Sequence, residues 1–505
     1  MQLSFAEYRQ KVLGCWLGKN IGGTLGEPFE GKRQLNELKF YVQDLKGNPP
    51  PNDDLDLQLV WLCAAEKYGR RLDAKILAEY WLSYIVPHWS EYGTGKANLR
   101  QGIVPPLSGH LHNPYKDSCG CFIRSELWAC LAPGHPEIAV RYAYQDAIVD
   151  HAHEGLYGEI FCAAMQSAAF VESDPDRLIE IGLSYLPADC GVARGVNAAR
   201  GAYRKGLSWQ EARRAVLTEV PGTFGVQGTS PDKLPKDIPV GKRGYDAPSN
   251  IGIVIIGWLY GGGDFGGSLC TAVNCGEDTD CTAATLGALL GIIAGADNIP
   301  QDWKEPIGER INTWCIDRTC NWKLPIPQTA SQLTERILRL APQFLDTYCD
   351  LLSPQPGYVI ETVEREELAN RQRTLNYWTT SDFRSELGQS PFAVSYDFVL
   401  YSALLDYGQD PLVEEGAPRT FRLTFNNQVG QQQWLRIKWH LPAGWHLDPG
   451  PVRSVFLDHT NMGPTTVDFT LTPELLEQDR YDLFIELTSQ GRPTKGLIPI
   501  VLLHG

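Results

Sequence analysis

Two aspartates in the second half of the chain have the residue type and spacing to hold a metal ion. In Gly276-Glu277-Asp278-Thr279-Asp280-Cys281, Asp278 and Asp280 directly precede the small and apolar run Thr282 to Gly295. Such a run predicts a buried helix, and its first turn would carry both carboxylates. Helix capping and the helix dipole also favour acids at this position. The pair alone therefore leaves a purely structural role open.

A second acidic cluster repeats this design earlier in the chain. Asn52-Asp53-Asp54-Leu55-Asp56 follows three prolines and opens a predicted helix from Leu57 to Tyr68. Two acid-tipped buried helices indicate a shared cation site, and hard oxygen donors suit magnesium, manganese or calcium better than zinc. Two divalent cations would offset the charge of the assembled carboxylates, which folding would not otherwise tolerate. They could also orient a substrate for hydrolysis.

A stripe of glycines lies near the N-terminus. Gly14, Gly18, Gly22 and Gly26 recur every four residues, so a helix places them on one face. Each interior glycine costs about 1 kcal/mol relative to alanine. Four of them need a reason, such as the close approach of another backbone. Glu30 follows at the end of this element.

Together these motifs resemble the ADP-ribosylglycohydrolase family. The family pattern has a Gly-rich helix running into a glutamate, matched by Glu30, and an Asp pair, matched by Asp53-Asp54. It continues with a later histidine, matched by His151, and a Gly-Gly-Asp-Thr-Asp motif, matched by Gly276 to Asp280. The resemblance covers about residues 10 to 305. It implies an all-α fold with two divalent cations, magnesium or manganese, beside the glycosidic bond of a ribose-like sugar.

The resemblance also implies site residues. The catalytic carboxylates would be Glu30, the first choice as acid–base group, and Asp54. The metal ligands or near-ligands would be Glu30, Asn52, Asp53, Asp54, Asp278, Asp280 and Cys281.

Three further residues are candidates for binding substrate. His151 lies in a helix that would line the pocket, with a satisfied core histidine as the alternative. Arg124 lies in a segment similar to the family's substrate-side region, and a structural ion pair is the alternative. Asn250 flanks the buried run Ile251 to Tyr260 and could border the cleft.

The sequence departs from the family pattern at four positions. Gly23 replaces an Asp, Asn52 replaces a hydroxyl residue and Cys119 replaces an Asn. Cys281 stands where many members have a metal-binding Ser or Thr, and a thiol is a poor ligand for magnesium. Three alternatives therefore remain for one metal site: it binds its ion weakly, it prefers manganese, or it is absent. A substrate other than ADP-ribose is an alternative as well.

The chain changes character after Ser353. Residues 1–350 carry apolar residues at helical spacing, as in Pro136 to Ala147, and predict the all-α domain. A long loop is predicted over Thr223 to Ser249. Alternating patterns such as Thr420 to Phe425 and Trp434 to Trp439 predict an antiparallel β-sandwich over residues 395–505, with residues 351–394 as a linker.

Composition narrows the class of protein. The 505 residues carry a net charge of −15, which disfavours nucleic acid as a partner. The most apolar runs fall short of the ~20 residues that a membrane span needs. The first residues lack a signal-peptide pattern, and the cysteine count of 13 is odd, so we expect a cytoplasmic protein with reduced thiols. The oligomeric state stays open.

The leading functional hypothesis is a metal-dependent hydrolase that cleaves an N- or O-glycosidic bond to ADP-ribose or a ribose-like sugar in a protein or small-molecule conjugate. The first alternative is a glycoside hydrolase that acts on a furanoside other than ADP-ribose. The second is a non-catalytic binding protein on the same scaffold, against which the retained carboxylates argue.

Overall fold

The computed structural model describes residues 1–222, 244–316, 324–353, 356–370, 390–428, 432–459, 462–491 and 495–505. Most of the predicted loop from Thr223 to Ser249 and residues 371–389 of the predicted linker lie outside these ranges. Contacts along the chain define two compact units, Met1–Ser381 and Asp382–Gly505. Each unit is described by itself.

The first unit is helical, as the sequence predicts. None of its described helices has the length and apolar character needed to cross a membrane. Its helices are α1 Phe5–Gly26, α2 Asp53–Tyr68, α3 Ala74–Tyr84, α4 Ser90–Arg100, α5 Leu107–His110, α6 Glu126–Leu131, α7 Pro136–Ala147, α8 His153–Ala168, α9 Pro175–Ser184, α10 Gly191–Arg204, α11 Trp209–Glu219, α12 Ala247–Tyr260, α13 Phe265–Asn274, α14 Thr279–Ala294, α15 Gln301–Lys304 and α16 Ala330–Leu345.

Helices α1 and α14 pack against each other through the predicted glycine stripe. A Cβ atom on Gly18 would overlap the carbonyl oxygen of Gly287, and one on Gly22 would overlap that of Ala283. Gly14 and Gly26 face α14 in the same way. The two backbones therefore touch at four positions, which explains why α1 tolerates glycines there. This contact fixes the start of α14 beside the end of α1.

A small sheet departs from the all-α prediction. Strands β1 Gln2–Ser4, β2 Cys349–Asp350 and β3 Val359–Glu361 form a three-stranded antiparallel sheet in the order β1-β3-β2. The central strand β3 lies inside the predicted linker, so this part of residues 351–394 belongs to the first unit. Period-two patterning was too short here to signal a strand.

The second unit contains two five-stranded sheets. One has the order β10-β8-β12-β13-β6 and the other β4-β5-β7-β11-β9, and all pairs except β13–β6 are antiparallel. Their buried faces share one hydrophobic core, which the predicted sandwich requires. The strands are β4 Ala393–Asp397, β5 Tyr401–Asp406, β6 Leu412–Val413, β7 Arg419–Asn427, β8 Gln433–His440, β9 His446–Asp448, β10 Val452–Leu457, β11 Thr465–Thr472, β12 Arg480–Ser489 and β13 Lys495–His504.

Substituting a glycine of the stripe tests the α1–α14 contact. We expect Gly18→Ala to destabilise the protein by roughly 1–3 kcal/mol or more, because the methyl group must push two backbones apart. Thermal and chemical denaturation measure this loss. Gly201→Ala in α10 is the matched control: its Cβ meets open space, so higher helix propensity should leave stability unchanged or increase it by up to ~1 kcal/mol. Equal effects of the two substitutions would contradict the contact.

Candidate active site

The two acidic clusters meet at the starts of α2 and α14. Asn52 caps α2, since its Oδ1 accepts the N–H of Asp54 at 2.7 Å, and its Nδ2 donates to Asp280 Oδ2 at 3.2 Å. Asp278 holds the N-cap position of α14, yet its side chain makes no capping hydrogen bond. Capping therefore accounts for Asn52 but not for Asp278.

The backbone entering α14 is held in an unusual conformation. Glu277 has φ 71°, a left-handed value that a side chain other than glycine adopts at a cost of about 1–3 kcal/mol. Two hydrogen bonds from the Arg33 guanidinium, at 2.8 and 3.0 Å, hold its buried carboxylate. The backbone N–H of Asp278 donates to Asn250 Oδ1 at 3.0 Å. These contacts fix the direction of the next carboxylates.

Two groups of side chains have the geometry to hold a cation. Glu30, Asp278 and Asp280 form one group, and Asp54, Asp280 and Cys281 form the other. Within each group the ligand atoms lie within 4.8 Å of one another, and Asp280 belongs to both. The two groups are candidate cation positions that share a carboxylate, and the number of cations stays a prediction. Asp53 lies beside these groups on the cleft wall.

Each of the three aspartates in these groups has one buried oxygen without a hydrogen-bond partner. Asp54 Oδ2, Asp278 Oδ1 and Asp280 Oδ1 are buried without a hydrogen-bond partner. Buried polar atoms in proteins are almost always hydrogen-bonded, and buried charges are paired or bind metals. The free carboxylate oxygens fit divalent cations. The thiol of Cys281 does not fit magnesium.

The pKa values of these carboxyl groups are raised. The negative field of Asp280, followed by burial, raises the pKa of Glu30 to about 8. Burial raises the pKa of Asp54 to about 7 and that of Asp280 to about 7, and neighbouring carboxylates add to both shifts. Burial and Asp280 raise the pKa of Asp278 well above its usual range. Like charges held this close favour either protonation or a compensating positive charge.

A buried lysine supplies part of the compensation. Lys19, on α1, places its Nζ 3.9 Å from Asp54 Oδ2 and 3.1 Å from Glu126 Oε1. Burial disfavours its charged form, but Glu126 and Asp54 outweigh that effect and raise the pKa of Lys19. Asp54 was predicted to be catalytic, but it does not line the cleft. Its catalytic role stays a prediction.

A cleft of about 400 Å³ opens in front of the two groups. One wall is aromatic: Trp89 and Trp314 are 41% and 52% exposed, and their ring centroids lie 5.1 Å apart. The described residues that line the cleft include no Lys, Arg or His. Its acidic lining residues are Glu30, Asp53, Glu91, Asp278 and Asp280.

Two tyrosine hydroxyls orient carboxylates at the cleft. Tyr245 lies 3.3 Å from Glu30 Oε1 and donates to it, and Tyr92 donates to Asp53 Oδ2 at 3.2 Å. A hydroxyl donor fixes one oxygen of each carboxylate and leaves the other available for a cation or a substrate group.

The predicted substrate residues His151 and Arg124 lie behind the wall. His151 Nε2 is 3.0 Å from the Oγ of Ser118, which lines the cleft, and His151 Nδ1 is 3.0 Å from Asp150 Oδ1. Arg124 pairs with Asp146 at 2.9 Å and with Asp150 at 2.5 Å. Neither residue lines the cleft, so direct contact with substrate stays a prediction. Their observed contacts hold Ser118 in place.

Asn250 also lies outside the cleft lining. Its Nδ2 donates to the carbonyl oxygens of Gly244 and Asp246, and its Oδ1 accepts the N–H of Asp278. It connects the start of α12 to the start of α14, so its visible role is to position Asp278. Contact with substrate stays a prediction for this residue as well.

Sequence reasoning missed much of the cleft wall. Trp89, Glu91 and Tyr92 lie at the start of α4, where an acid between aromatics was the available signal. Lys19 lies in the buried, glycine-rich half of α1, and a lysine in such a place needs a buried partner. Tyr245 and Trp314 lie in irregular segments that carry no local signal.

The chain belongs to the ADP-ribosylglycohydrolase family, whose sequence profile matches residues 4–342. The resemblance seen in the motifs is thereby confirmed. An uncharacterized protein of Archaeoglobus fulgidus is 25% identical over 318 residues, which are 60% of this chain and 92% of that protein. The second unit lies outside the family match. Membership supports a glycosidic-bond hydrolase.

The raised pKa values predict how a cation affects stability. Without metal, Glu30, Asp54 and Asp280 bind protons more tightly in the folded than in the unfolded state, so their contribution to stability is present below pH 4 and is lost as pH rises towards about 8. A divalent cation removes this penalty. We expect manganese to raise the melting temperature more at pH 8 than at pH 6, measured after removal of metal with a chelator.

The Asp280→Asn variant is the control for this prediction. It removes the carboxylate shared by both groups, so the metal-free variant should be more stable than the parent at pH 8. Its response to manganese should be small at both pH values. A parent protein that responds equally at both pH values would show that these carboxylates do not bind the cation.

Proposed function

We propose that the protein is a metal-dependent hydrolase that cleaves the glycosidic bond between the ribose of an ADP-ribose conjugate and its acceptor. The observation that carries the proposal is the pair of donor groups, Glu30–Asp278–Asp280 and Asp54–Asp280–Cys281, at the base of a cleft. Family membership supports the glycosidic bond as the point of hydrolysis. The acceptor is either a protein side chain or a small molecule.

In this proposal the described residues have separate roles in metal binding and proton transfer. When bound, the two divalent cations supply Lewis acidity and orient the sugar hydroxyls. Asp54, Asp278 and Asp280 would hold them, with Cys281 contributing to one position and Glu30 to the other. Glu30, at the rim, gives or accepts the proton as the oxocarbenium-like state forms. Tyr245 keeps one oxygen of Glu30 engaged, which orients the other towards the cleft.

A second candidate is hydrolysis of a glycoside that carries no diphosphate. The cleft lining favours it, because the described residues there supply five carboxylates and no basic side chain. A diphosphate would meet repulsion from this wall unless the cations or backbone N–H groups bind it. Trp89 and Trp314 offer apolar faces to either a sugar ring or a base.

A substrate panel with magnesium and manganese tests the two candidates. Proteins or peptides carrying ADP-ribose on Arg or Ser and simple ribofuranosides are incubated with the full-length protein, and the released sugar is quantified. Release of ADP-ribose supports the first candidate, and turnover of the ribofuranosides alone supports the second. Turnover of neither, with metal bound, would favour a binding protein.

Replacing the proposed acid–base group tests its role. Glu30→Gln should lower kcat by about 10²–10⁴-fold on whichever substrate is active, because proton transfer from a positioned side chain contributes that much. The melting temperature should not fall, since the substitution removes a repelled charge. Glu37→Gln, an exposed glutamate on the following segment, should keep parental kcat. A Glu30→Gln variant with parental kcat would exclude this role.

A further inference from the structure

One of the two donor groups contains sulfur. Asp54, Asp280 and Cys281 are 2%, 4% and 7% exposed, and their ligand atoms lie within 4.8 Å of one another. Cys281 Sγ is 3.5 Å from Asp54 Oδ1. Asp54 Oδ2 and Asp280 Oδ1 are buried without hydrogen-bond partners. A carboxylate oxygen of Asp54, one of Asp280 and the thiol of Cys281 therefore converge on one enclosed position.

The neighbouring group differs in its donor chemistry. Glu30, Asp278 and Asp280 offer oxygen alone, and Glu30 is exposed at the rim. Oxygen donors suit magnesium and manganese, which keep several waters. Thiolate donors select softer cations such as zinc, and affinity among first-row divalent cations generally rises towards copper. The two positions should therefore not bind the same ion with the same preference.

We infer that the Asp54–Asp280–Cys281 position binds a thiophilic divalent transition metal, of the class of zinc, ferrous iron and cobalt, while the all-oxygen position binds magnesium or manganese. The inference deepens the proposed function, since it concerns the cofactor of the same site. On binding, the Cys281 thiol releases its proton to solvent and forms a sulfur–metal bond. No electron is transferred.

A buried lysine lies near the donor group that contains Cys281. Lys19 lies 3.9 Å from Asp54, so a fixed positive charge offsets the extra negative charge of the donor set. Cys119 is a second buried thiol on the cleft wall, yet it belongs to neither donor group. Burial raises the pKa of the Cys119 thiol, and Asp278, on the same cleft wall, raises it further. The two cysteines therefore make a matched pair for testing which sulfur binds metal.

Cobalt titration of the full-length metal-free protein provides the test. Cobalt bound to a thiolate gives an intense sulfur-to-metal charge-transfer absorption in the near ultraviolet, which oxygen donors alone do not give. We expect this band in the parent and in Cys119→Ser, and its loss in Cys281→Ser. Zinc should abolish the band at stoichiometric concentration, whereas millimolar magnesium should leave it. Circular dichroism checks that each variant is folded.

Affinity measurements give a second readout. Loss of an outer-shell partner already weakens metal binding by roughly 10–100-fold, so Cys281→Ser should weaken zinc binding by at least about tenfold. Magnesium binding by the same variant, measured by calorimetry, should stay equal or become tighter. Asp54→Asn, which keeps the thiol, should weaken zinc binding while retaining the charge-transfer band at saturating cobalt.

The outcomes separate this inference from the proposed function. Bound cobalt without a charge-transfer band, or a band that survives in Cys281→Ser, would overturn the inference, while glycosidic turnover with magnesium would leave the proposed function intact. A protein that binds none of these cations would overturn both. Turnover that requires zinc or cobalt together with magnesium would support both.

Discussion

The backbone contact between α1 and α14 is the constraint on which the site depends. It brings the end of one helix and the start of the other together, so that Glu30 and Asp278 meet at one end of a glycine-lined seam. A larger side chain anywhere along the seam would separate the helices and move the carboxylates apart. The glycines lower the helix propensity of α1 and so cost stability. The burial of apolar side chains around α1 has to compensate for this cost.

The site itself works against folding. Carboxylates are crowded in a buried space, and Glu277 is held at a positive φ to aim the ones that follow. Arg33 and Lys19 stabilise this arrangement from behind, each through a buried ion pair. Strain and charge crowding of this kind are typical of functional sites and are compensated elsewhere in the fold. The large helical core supplies that compensation.

The sequence predicted the features that depend on local pattern. The acids at the starts of α2 and α14 could be placed there because small and apolar residues follow them. The glycine stripe predicted a close backbone contact. The strands of the second unit were readable from alternation. Strand β3 was not predicted because three residues are too few to show the two-residue alternation of a strand.

Features set by distant contacts were not predictable. Arg124 pairs with Asp146 and Asp150, and no local pattern in the sequence predicts these two partners. The backbone N–H of Trp314 donates to Oδ2 of Asp56, which lies far earlier in the chain, and this bond helps to hold Trp314 at the cleft wall. Such placements follow from tertiary packing, which one sequence does not reveal.

The sharing of Asp280 between both donor groups couples them thermodynamically. An ion in one position ionises and orients the carboxylate that the other position needs, but it also places a positive charge beside the second ion. Whichever effect prevails, each ion changes the affinity for the other by the same factor. A protein that binds ions at both positions would therefore have a singly loaded state, whose population depends on the concentration of each metal relative to its own dissociation constant.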